Sequence, residues 1–426
     1  MNLGFYWNKD KILRYKAGNK IMKPIVRAGR MKPVHSDIRG PLFVEAMNRQ
    51  KQGIDILKLN TGNPATFGFG LPDSIKNALM EHMQDGVGYC DFKGMPQARQ
   101  AICDYETSKG IKGITPDDVF IGNGVSEVVS FALTPLLNDG DEVLVPSPSY
   151  SLWGNSVYLE DGKPVFYTCD EQANWYPDIQ DIRSKITDKT KAIVIINPNN
   201  PTGVLYPKEI LLEIIQVARE FGLLIFADEI YDRLVMDGKQ HISLASLTED
   251  VPVITLNGLS KSHCLCGYRC GWMVISGPRE LTEDYRQGII QLTSLRLCAN
   301  TMAQIVIPAA LDDMDTPASM VRPGGRIYEQ REATVRELEK IDGLSFVKND
   351  AAFYVFPKLD VKKFNITNDK QFAHDLLDAT NILLVPGSGF DWKDPDHFRI
   401  VMLPQADVLS DAIRRMGTFL DGYTQK

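Results

Sequence analysis

The chain has 426 residues, of which 44% are hydrophobic and 24% charged, and its formal net charge is −7 at pH 7. These proportions are typical of a globular protein long enough for a large and a smaller domain, and they exclude disordered and fibrous classes. Most of the chain carries no block of one charge sign and no run of about eighteen apolar residues, so neither a nucleic-acid-binding face nor a membrane span is expected.

Residues 1–33 differ from the rest in charge, because nine lysines and arginines face one acid, Asp10. A basic, acid-poor segment is typical of transit peptides, but the serines common in such peptides are absent here. We therefore interpret residues 1–33 as an extended basic arm, or as an upstream start before Met22 or Met31.

From about residue 117, short apolar runs rich in β-branched residues alternate with amphipathic stretches. Helices are predicted from Ser126, near Tyr150 and from Pro207. The predicted strands are Val119–Gly122, Glu142–Pro146, Lys191–Asn197, Leu223–Ala227, Val251–Asn257 and Trp272–Ser276. This alternation predicts a mostly parallel sheet with helices on both faces, and catalytic groups then lie beyond the carboxyl ends of the strands.

The turn Pro323-Gly324-Gly325 predicts the join to a C-terminal domain. There, Gly343–Val347 and Ala352–Pro357 are predicted to be paired strands, and His397–Met402 another strand. We expect the basic arm to be followed by residues 34–75, which join the small domain and carry a substrate-site loop. A large domain would span 76–322, and 323–426 would complete the small domain.

The seven cysteines, an odd number without an export signal, predict reduced thiols and a cytoplasmic protein. Cys264, Cys266 and Cys270 lie close together in sequence. Their spacing matches no common zinc pattern, so no metal site is predicted.

The segment most informative about chemistry is Ser260-Lys261, which follows a predicted buried strand, with Arg269 eight residues after the lysine. Burial of a lysine lowers its pKa, and a neutral amine is the nucleophile that a Schiff base requires. The hydroxyl of Ser260 and the guanidinium of Arg269 suit a phosphate.

Three other segments follow predicted strands. Asp228 and Tyr231 come after one of them, where a lone aspartate could also be a helix cap. Residues 197–203, Asn-Pro-Asn-Asn-Pro-Thr-Gly, form a turn by composition. Residues 122–127, Gly-Asn-Gly-Val-Ser-Glu, open a helix whose N–H groups suit an anion, although Ser126 could be only an N-cap.

Together these segments resemble the class I and II pyridoxal-phosphate-dependent aminotransferases of the aspartate-aminotransferase superfamily, over roughly residues 35–420. The resemblance implies the α/β fold of the PLP-dependent transferases (fold type I). That fold has a large domain with a mostly parallel seven-stranded sheet between helices, plus a smaller α+β domain. It also implies pyridoxal 5′-phosphate as cofactor, amino acids and 2-oxo acids as substrates, and a homodimer with a shared active site. No nucleic-acid or membrane partner is implied.

The family's motifs imply a role for each matching residue at the cofactor ring. Lys261 would carry the cofactor as a Schiff base and act as acid and base, while Asp228 would keep the ring nitrogen protonated. Tyr231 and Asn200 would bind the ring hydroxyl. Tyr150 lies where the family stacks an aromatic side chain on the ring.

Other matching residues are implied to bind the phosphate or the substrate. The phosphate would be held by Tyr89 of the neighbouring subunit and by Gly124, Val125, Ser126, Ser260 and Arg269. Substrate contacts would come from Gly40, Asn200 and Arg399, with Arg399 on the α-carboxylate. Gly258 departs from the aspartate-aminotransferase pattern, in which a serine at this position contacts the phosphate.

Several short segments are most similar to the alanine (glutamate–pyruvate) branch of the family: residues 37–41, 59–64, 297–300, 322–326 and 328–331. This branch implies ping-pong transamination of L-alanine and 2-oxoglutarate to pyruvate and L-glutamate. Arg39 is a candidate for the side-chain carboxylate of glutamate, the alternative being a surface salt bridge.

The catalytic residues leave other readings of the function open. A preference for aspartate, aromatic or branched-chain donors is one, and another PLP enzyme, such as a β-lyase, decarboxylase or cyclopropane-carboxylate synthase, is a second. A non-catalytic regulator on the same scaffold is a third, but it would need a DNA-binding domain or a lost lysine, and the chain shows neither.

Overall fold

The computed structural model describes residues 25–426 and the backbone of residues 16–17 and 20–21, so most of the predicted basic arm lies outside the described residues. The strands are β1 (Lys16–Ala17), β2 (Lys20–Ile21), β3 (Leu57–Lys58), β4 (Val119–Asn123), β5 (Glu142–Ser147), β6 (Lys163–Asp170), β7 (Tyr176–Pro177), β8 (Thr190–Ile196), β9 (Leu224–Asp228), β10 (Val253–Gly258), β11 (Cys270–Ser276), β12 (Leu344–Ser345), β13 (Tyr354–Val355), β14 (Lys358–Leu359), β15 (Ile382–Leu383), β16 (Val385–Pro386) and β17 (Phe398–Val401).

The α-helices are α1 (Pro41–Lys51), α2 (Asp73–His82), α3 (Pro96–Ser108), α4 (Val125–Leu133), α5 (Leu152–Leu159), α6 (Ile179–Lys185), α7 (Lys208–Phe221), α8 (Leu259–Ser262), α9 (Arg279–Arg296), α10 (Thr301–Ile305), α11 (Ile307–Asp312), α12 (Asp315–Val321), α13 (Arg326–Leu338), α14 (Asp369–Thr380) and α15 (Ala406–Leu420). In the described part of the chain no single helix is long and apolar enough to cross a membrane. By length and composition alone, α9 and residues 301–312 would together be long and apolar enough, but the chain bends by 119° between them.

The central sheet has the strand order β4-β11-β10-β9-β8-β5-β6-β7. Strands β4, β10, β9, β8, β5 and β6 run parallel, while β11 and the two-residue β7 run against their neighbours. The seven longer strands make up the predicted mostly parallel sheet, and β7 adds a short eighth. All six predicted strands are present, and β6, for which no strand was predicted, lies beside β5.

Helices cover the sheet because their apolar residues recur at helical spacing. In α7 the buried residues Leu211, Ile214, Ile215 and Ala218 form one stripe, and the helix ends at Gly222, whose φ of 65° places it in the left-handed region. Two apolar clusters, one on each face of the sheet, share no residue: one includes Leu144, Ile193 and Ile225, the other Val143, Val194 and Phe226. Neighbouring residues of one strand thus point to opposite faces.

A second core lies among α13, α14, α15 and the short C-terminal strands. The N-terminal segment joins it, because β3 pairs with β15 in parallel and Leu59 is part of this cluster. The predicted domain boundaries at residues 33, 75 and 322 stay predictions.

One expectation for this region is wrong, since Gly343–Val347 and Ala352–Pro357 do not pair with each other. Instead β12 pairs with β14, and β13 pairs with β17. The N–H groups of Asp350 and Ala351 donate to the carbonyl of Gly203, at 3.0 and 2.9 Å. Because these two bonds tie the connecting segment to the loop that follows β8, the chain does not turn there into a hairpin.

A buried charge cluster lies behind the carboxyl ends of β9 and β10. Lys109 Nζ is 2.8 Å from both Glu106 Oε2 and Glu229 Oε2 and 3.1 Å from Asp232 Oδ2. Asn257 Nδ2, on β10, donates to the same Asp232 oxygen at 2.7 Å. Burial opposes the charge of Lys109, but the three carboxylates raise its pKa well above the usual value. One ammonium group thus links α3 to both strand ends.

Lys109→Met tests this cluster. The substitution leaves three buried carboxylates without their cation, so we expect a loss of about 3–5 kcal/mol in the free energy of unfolding. The measurement is the denaturant midpoint followed by circular dichroism. Lys112→Met is the matched control, because Lys112 forms an exposed pair with Glu249. Equal midpoints for the two variants would contradict a stabilising role of Lys109.

Candidate active site

The carboxyl ends of the parallel strands open onto a cavity of about 890 Å³, a size typical of small-molecule sites. The register explains why functional side chains meet there, because Asp228 lies beside Ile196 on one neighbouring strand and Leu256 on the other. Ten of the predicted site residues line this cavity: Val125, Ser126, Tyr150, Asn200, Asp228, Tyr231, Ser260, Lys261, Arg269 and Arg399.

Lys261 lies in α8, directly after β10, and is partly buried in the cavity wall. Its Nζ donates to the carbonyl of Gly62 at 3.0 Å and makes no ion pair with any described residue. Burial lowers the pKa of Lys261, but the charges that Tyr354 and Cys266 gain on ionising raise it, so the pKa lies above the usual value. Burial thus lowers the pKa as predicted, but the neighbouring groups reverse the net direction, so burial alone does not account for a neutral amine at Lys261.

An anion site lies where α4 begins. Gly124, with a φ of 85°, precedes the helix, and a Cβ added to it would lie 2.3 Å from Arg269 Nη2. Arg269 can therefore lie against the loop only because residue 124 is a glycine. The first N–H groups of a helix have no partner within it, and the hydroxyls of Ser126 and Ser260 face the same cavity. These groups together suit a phosphate.

Close backbone packing explains the departure at Gly258. A Cβ on Gly258 would lie 2.5 Å from the carbonyl oxygen of Cys270, and one on Gly271 would lie 2.4 Å from the backbone nitrogen of Val125. The strand that leads to Lys261, the strand that follows Arg269 and the start of α4 are thus in contact through backbone atoms. A serine at position 258 has no room.

Asp228 is buried at the end of β9 and has no cationic partner within ion-pair distance among the described residues. Its Oδ2 accepts a bond from Trp153 Nε1 at 3.1 Å, and its Oδ1 a long one of 3.4 Å from the N–H of Ile230. Burial raises the pKa of Asp228 to about 6, although these two bonds lower it. A cationic group in the cavity would stabilise this carboxylate.

Tyr231 lies near Asp228, and its hydroxyl is 2.8 Å from that of Tyr354. Burial and the neighbouring Tyr354 raise the pKa of Tyr231 well above its usual value, so its phenol is neutral and can donate a hydrogen bond.

Arg399 is a buried cation without a carboxylate partner in the described residues. Its Nη1 donates to Asn200 Oδ1 at 2.8 Å, and its Nη2 donates to the carbonyl of Asn60. Its guanidinium carbon is 4.5 Å from the ring centre of Tyr354 and 4.6 Å from that of Phe390. Nε is buried without a partner. Burial lowers the pKa of Arg399, and a carboxylate would reverse this effect.

Three predicted residues do not line the cavity. Gly124 lies against Arg269, Gly40 is the N-cap of α1 and ends the turn that begins at Asp37, and Tyr89 is 83% exposed. Arg39, by contrast, is exposed at the cavity, and no ion pair or hydrogen bond of its side chain occurs among the described residues, so the surface salt bridge is not seen. The roles of these four residues stay predictions.

Four groups that shape the cavity were not predicted from the sequence: Asn60, Gly62, Trp153 and Tyr354. Trp153 lies three residues after Tyr150, and Asn60 and Gly62 lie in residues 59–64, which indicated only the alanine branch of the family. Cys264, Cys266 and Cys270 do not converge on one point, because Cys266 Sγ donates to the Ser260 carbonyl at 3.0 Å and Cys264 Sγ lies 3.9 Å from Met320 Sδ.

Comparisons with known proteins place this geometry in a family. The model of the class I and II aminotransferases matches residues 54–415. The glutamate–pyruvate aminotransferase AlaA of Haemophilus influenzae is 49% identical over 95% of this chain and 100% of its own length.

Two solved structures are similar over nearly the whole chain. A crystal structure of an aminotransferase from Escherichia coli has a TM-score of 0.93 and 46% identity, covering 95% of this chain and 100% of the other. An alanine aminotransferase from Pyrococcus furiosus has a TM-score of 0.88 and 40% identity, covering 93% and 100%. The predicted family, fold type and cofactor are confirmed. The chain belongs to the class I and II aminotransferases, which depend on pyridoxal 5′-phosphate.

Proposed function

We propose that this chain transfers an amino group between L-alanine and 2-oxoglutarate, which gives pyruvate and L-glutamate in a ping-pong reaction. The observation that carries the proposal is a pair of cations at one cavity, the buried Arg399 and the exposed Arg39, neither of which has a carboxylate partner in the described residues. The relatives from Haemophilus influenzae and Pyrococcus furiosus, a glutamate–pyruvate and an alanine aminotransferase by name, support the choice of substrates.

The residues present fit the cofactor on two observations. Asp228 is a buried carboxylate that lacks a cation, which a protonated ring nitrogen would supply. The loop at Gly124 lets Arg269 approach α4, so that Ser126, Ser260 and Arg269 can hold the phosphate.

When bound, pyridoxal phosphate supplies an aldehyde that accepts the amino group and a ring that delocalises the charge left at the substrate Cα. Lys261 Nζ would hold the cofactor covalently and, as a free uncharged amine, would move the proton at the substrate Cα. Arg399 and Asn200 hold the α-carboxylate, which orients the Cα–H bond toward Nζ.

Asp228 and Tyr231 set the proton positions on the ring. With the cofactor bound, the carboxylate of Asp228 would keep a proton on the ring nitrogen, and the neutral phenol of Tyr231 would donate to the ring hydroxyl together with Asn200. Tyr150, on the cavity wall, would stack on the ring.

We also infer a homodimer. Tyr89 is exposed, and so are the large apolar side chains of Met80, Met83 and Val87, which precede it in the chain. A second copy that covers this surface would bring its Tyr89 to the phosphate, as the family resemblance implies.

Lys261→Ala tests the covalent link. We expect transamination to be lost while the far-ultraviolet circular dichroism spectrum stays unchanged, because the side chain forms no ion pair that folding would lose. Borohydride reduction of the wild-type holoenzyme, followed by peptide mapping, should place the pyridoxyl group on Lys261. A reduced pyridoxyl group on another lysine would overturn the assignment.

Arg39→Ala tests the substrate proposal. If Arg39 holds the second carboxylate, kcat/KM for glutamate and 2-oxoglutarate should fall about ten- to a hundredfold, while alanine and pyruvate lose much less. Arg30→Ala is the matched control, because Arg30 forms an exposed pair with Asp161. Equal losses on all four substrates would remove the role of Arg39.

The same assay, extended to aspartate, phenylalanine and valine, tests the amino-donor preference of the wild-type enzyme. Alanine should be the best of the donors other than glutamate. If another donor is better, the chain is an aminotransferase with a different amino-donor preference.

Coexpression of Tyr89→Ala and Lys261→Ala chains tests the shared site. Each homodimer should have little activity, whereas a hybrid dimer has one site with both Lys261 and the partner's contribution intact. Random association predicts activity in about a quarter of the sites. An active monomer in light scattering, or full activity of Tyr89→Ala alone, would contradict the shared site.

A further inference from the structure

His35 joins the N-terminal segment to both sides of the cavity. Its backbone N–H donates to Asn155 Oδ1 of α5 at 3.1 Å, and Asn155 Nδ2 donates back to the His35 carbonyl at 2.6 Å. Its side-chain Nε2 lies 3.0 Å from Asp391 Oδ1. The residues that follow, 36–39, are called the arm segment here, and Ser36, Ile38 and Arg39 line the cavity.

Asp391 needs a cation, and His35 is the one positioned to supply it. The Asp391 side chain is only 14% exposed, and its Oδ2 is buried without a hydrogen-bond partner. Among the described residues, His35 is the only basic side chain within ion-pair distance of this carboxylate. A buried carboxylate that accepts from a single imidazole is stabilised when that imidazole is protonated.

The turn that carries Asp391 also supports the substrate site. The Phe390 ring lies under the guanidinium of Arg399, and the Phe390 carbonyl accepts from the Ser149 N–H at 2.9 Å, next to Tyr150. The Asp391 carbonyl accepts from Ser147 Oγ at 2.7 Å. His35 is therefore bound to the residue that directly follows Phe390, one of the groups that pack against Arg399.

The arm segment has further contacts on the same side. Asp37 pairs with Lys370 at 3.1 Å, and the Ile38 carbonyl accepts from Asn60 Nδ2 at 2.8 Å. Asn60 in turn accepts from Arg399 through its own carbonyl. None of these contacts involves Arg39, whose guanidinium depends on the arm segment for its position.

We propose that His35, as an imidazolium bound to Asp391, is a positioning residue that holds the arm segment over the cavity. The effect of His35 on the binding of 2-oxoglutarate and glutamate acts through Arg39, and this part of the proposal rests on the proposed function. The attachment of the arm segment does not depend on the identity of the substrate.

The charges around His35 determine the pH dependence. Asp391 and Asp37 face the imidazole, and Lys370 is the nearby cation; Tyr158 is close to Asp391 but neutral, because burial and Asp391 raise its pKa. The hydrogen bond to Asp391 raises the pKa of His35 above its ordinary 6.5, although burial lowers it. Because this pKa is raised, the ion pair between His35 and Asp391 holds the arm segment fully below about pH 6.5. Its contribution is lost as the pH rises through the higher pKa that His35 has in the folded protein.

His35→Gln tests the proposal in the holoenzyme, because glutamine keeps a donor but not the charge. His374→Gln is the matched control, since His374 is also a half-exposed histidine paired with carboxylates but lies outside the cavity. Two measurements are made at pH 6 and pH 9: deuterium uptake by residues 34–40, corrected for the intrinsic exchange rate, and the separate values of KM and kcat.

In the wild type and in His374→Gln, uptake by residues 34–40 should be low at pH 6 and higher at pH 9, and KM for 2-oxoglutarate should rise about three- to fivefold. In His35→Gln, deuterium uptake by residues 34–40 and KM for 2-oxoglutarate should both be high at pH 6 and at pH 9, while kcat changes less than about twofold. Uptake that is the same at both pH values in the wild type, or unchanged by His35→Gln, would overturn the proposal.

The KM values separate this proposal from the substrate assignment. If His35→Gln frees the arm segment and raises KM equally for pyruvate and 2-oxoglutarate, His35 still positions the arm segment and Arg39 has lost its proposed role. If the arm segment is freed and no KM changes, His35 does not position any group of the substrate site, and the proposal is wrong.

Discussion

The register of β8, β9 and β10 is the constraint on which the site depends. With Ile196, Asp228 and Leu256 side by side, the segments that follow these strands begin at one level of the sheet. The buried Lys109 maintains this level from behind, because two of its carboxylate partners, Glu229 and Asp232, follow β9, and Asp232 also accepts from Asn257 of β10. A shift of β9 by one residue would turn Asp228 away from the cavity, and a shift of β10 would break the bond from Asn257 to Asp232.

Uncompensated charge is the second feature, and it points to the ligands. Asp228, Lys261 and Arg399 each have hydrogen-bond partners but no ion pair in the described part of the chain. An isolated buried charge is costly, whereas structural charges such as Lys109 are paired. Asp228 and Arg399 therefore complement a cationic ring nitrogen and a carboxylate, and the amine of Lys261, when it is uncharged, can bond to an aldehyde carbon. These are the groups that a cofactor of this family and an amino acid bring.

Those parts of the molecule that depend on residues close together in the sequence could be predicted from it. The parallel strands are apolar runs rich in β-branched residues, so the pattern predicts where they end, and with those ends the positions of Asp228, Asn200 and Lys261. β6 was missed because Lys163 and Pro164 open it and polar residues interrupt its pattern. The small-domain pairing was mispredicted because it depends on the distant Gly203 carbonyl. Trp153 and Tyr354 were missed for the same reason, since their partners Asp228 and Tyr231 lie 75 and 123 residues away.

A site that alternates between a methyl group and a second carboxylate cannot use a fixed buried cation for both. When alanine is bound, such a cation would stay unpaired in an apolar setting, at a cost that would disfavour alanine. In the role proposed for it, Arg39 would avoid this cost because it is exposed and lies in the arm segment, so water can solvate it when no carboxylate is present. Solvation alone would leave its position undefined, however, and an undefined cation contributes little to affinity. The ion pair between His35 and Asp391 resolves this conflict, because it orders the backbone of the arm segment and leaves the guanidinium itself in water.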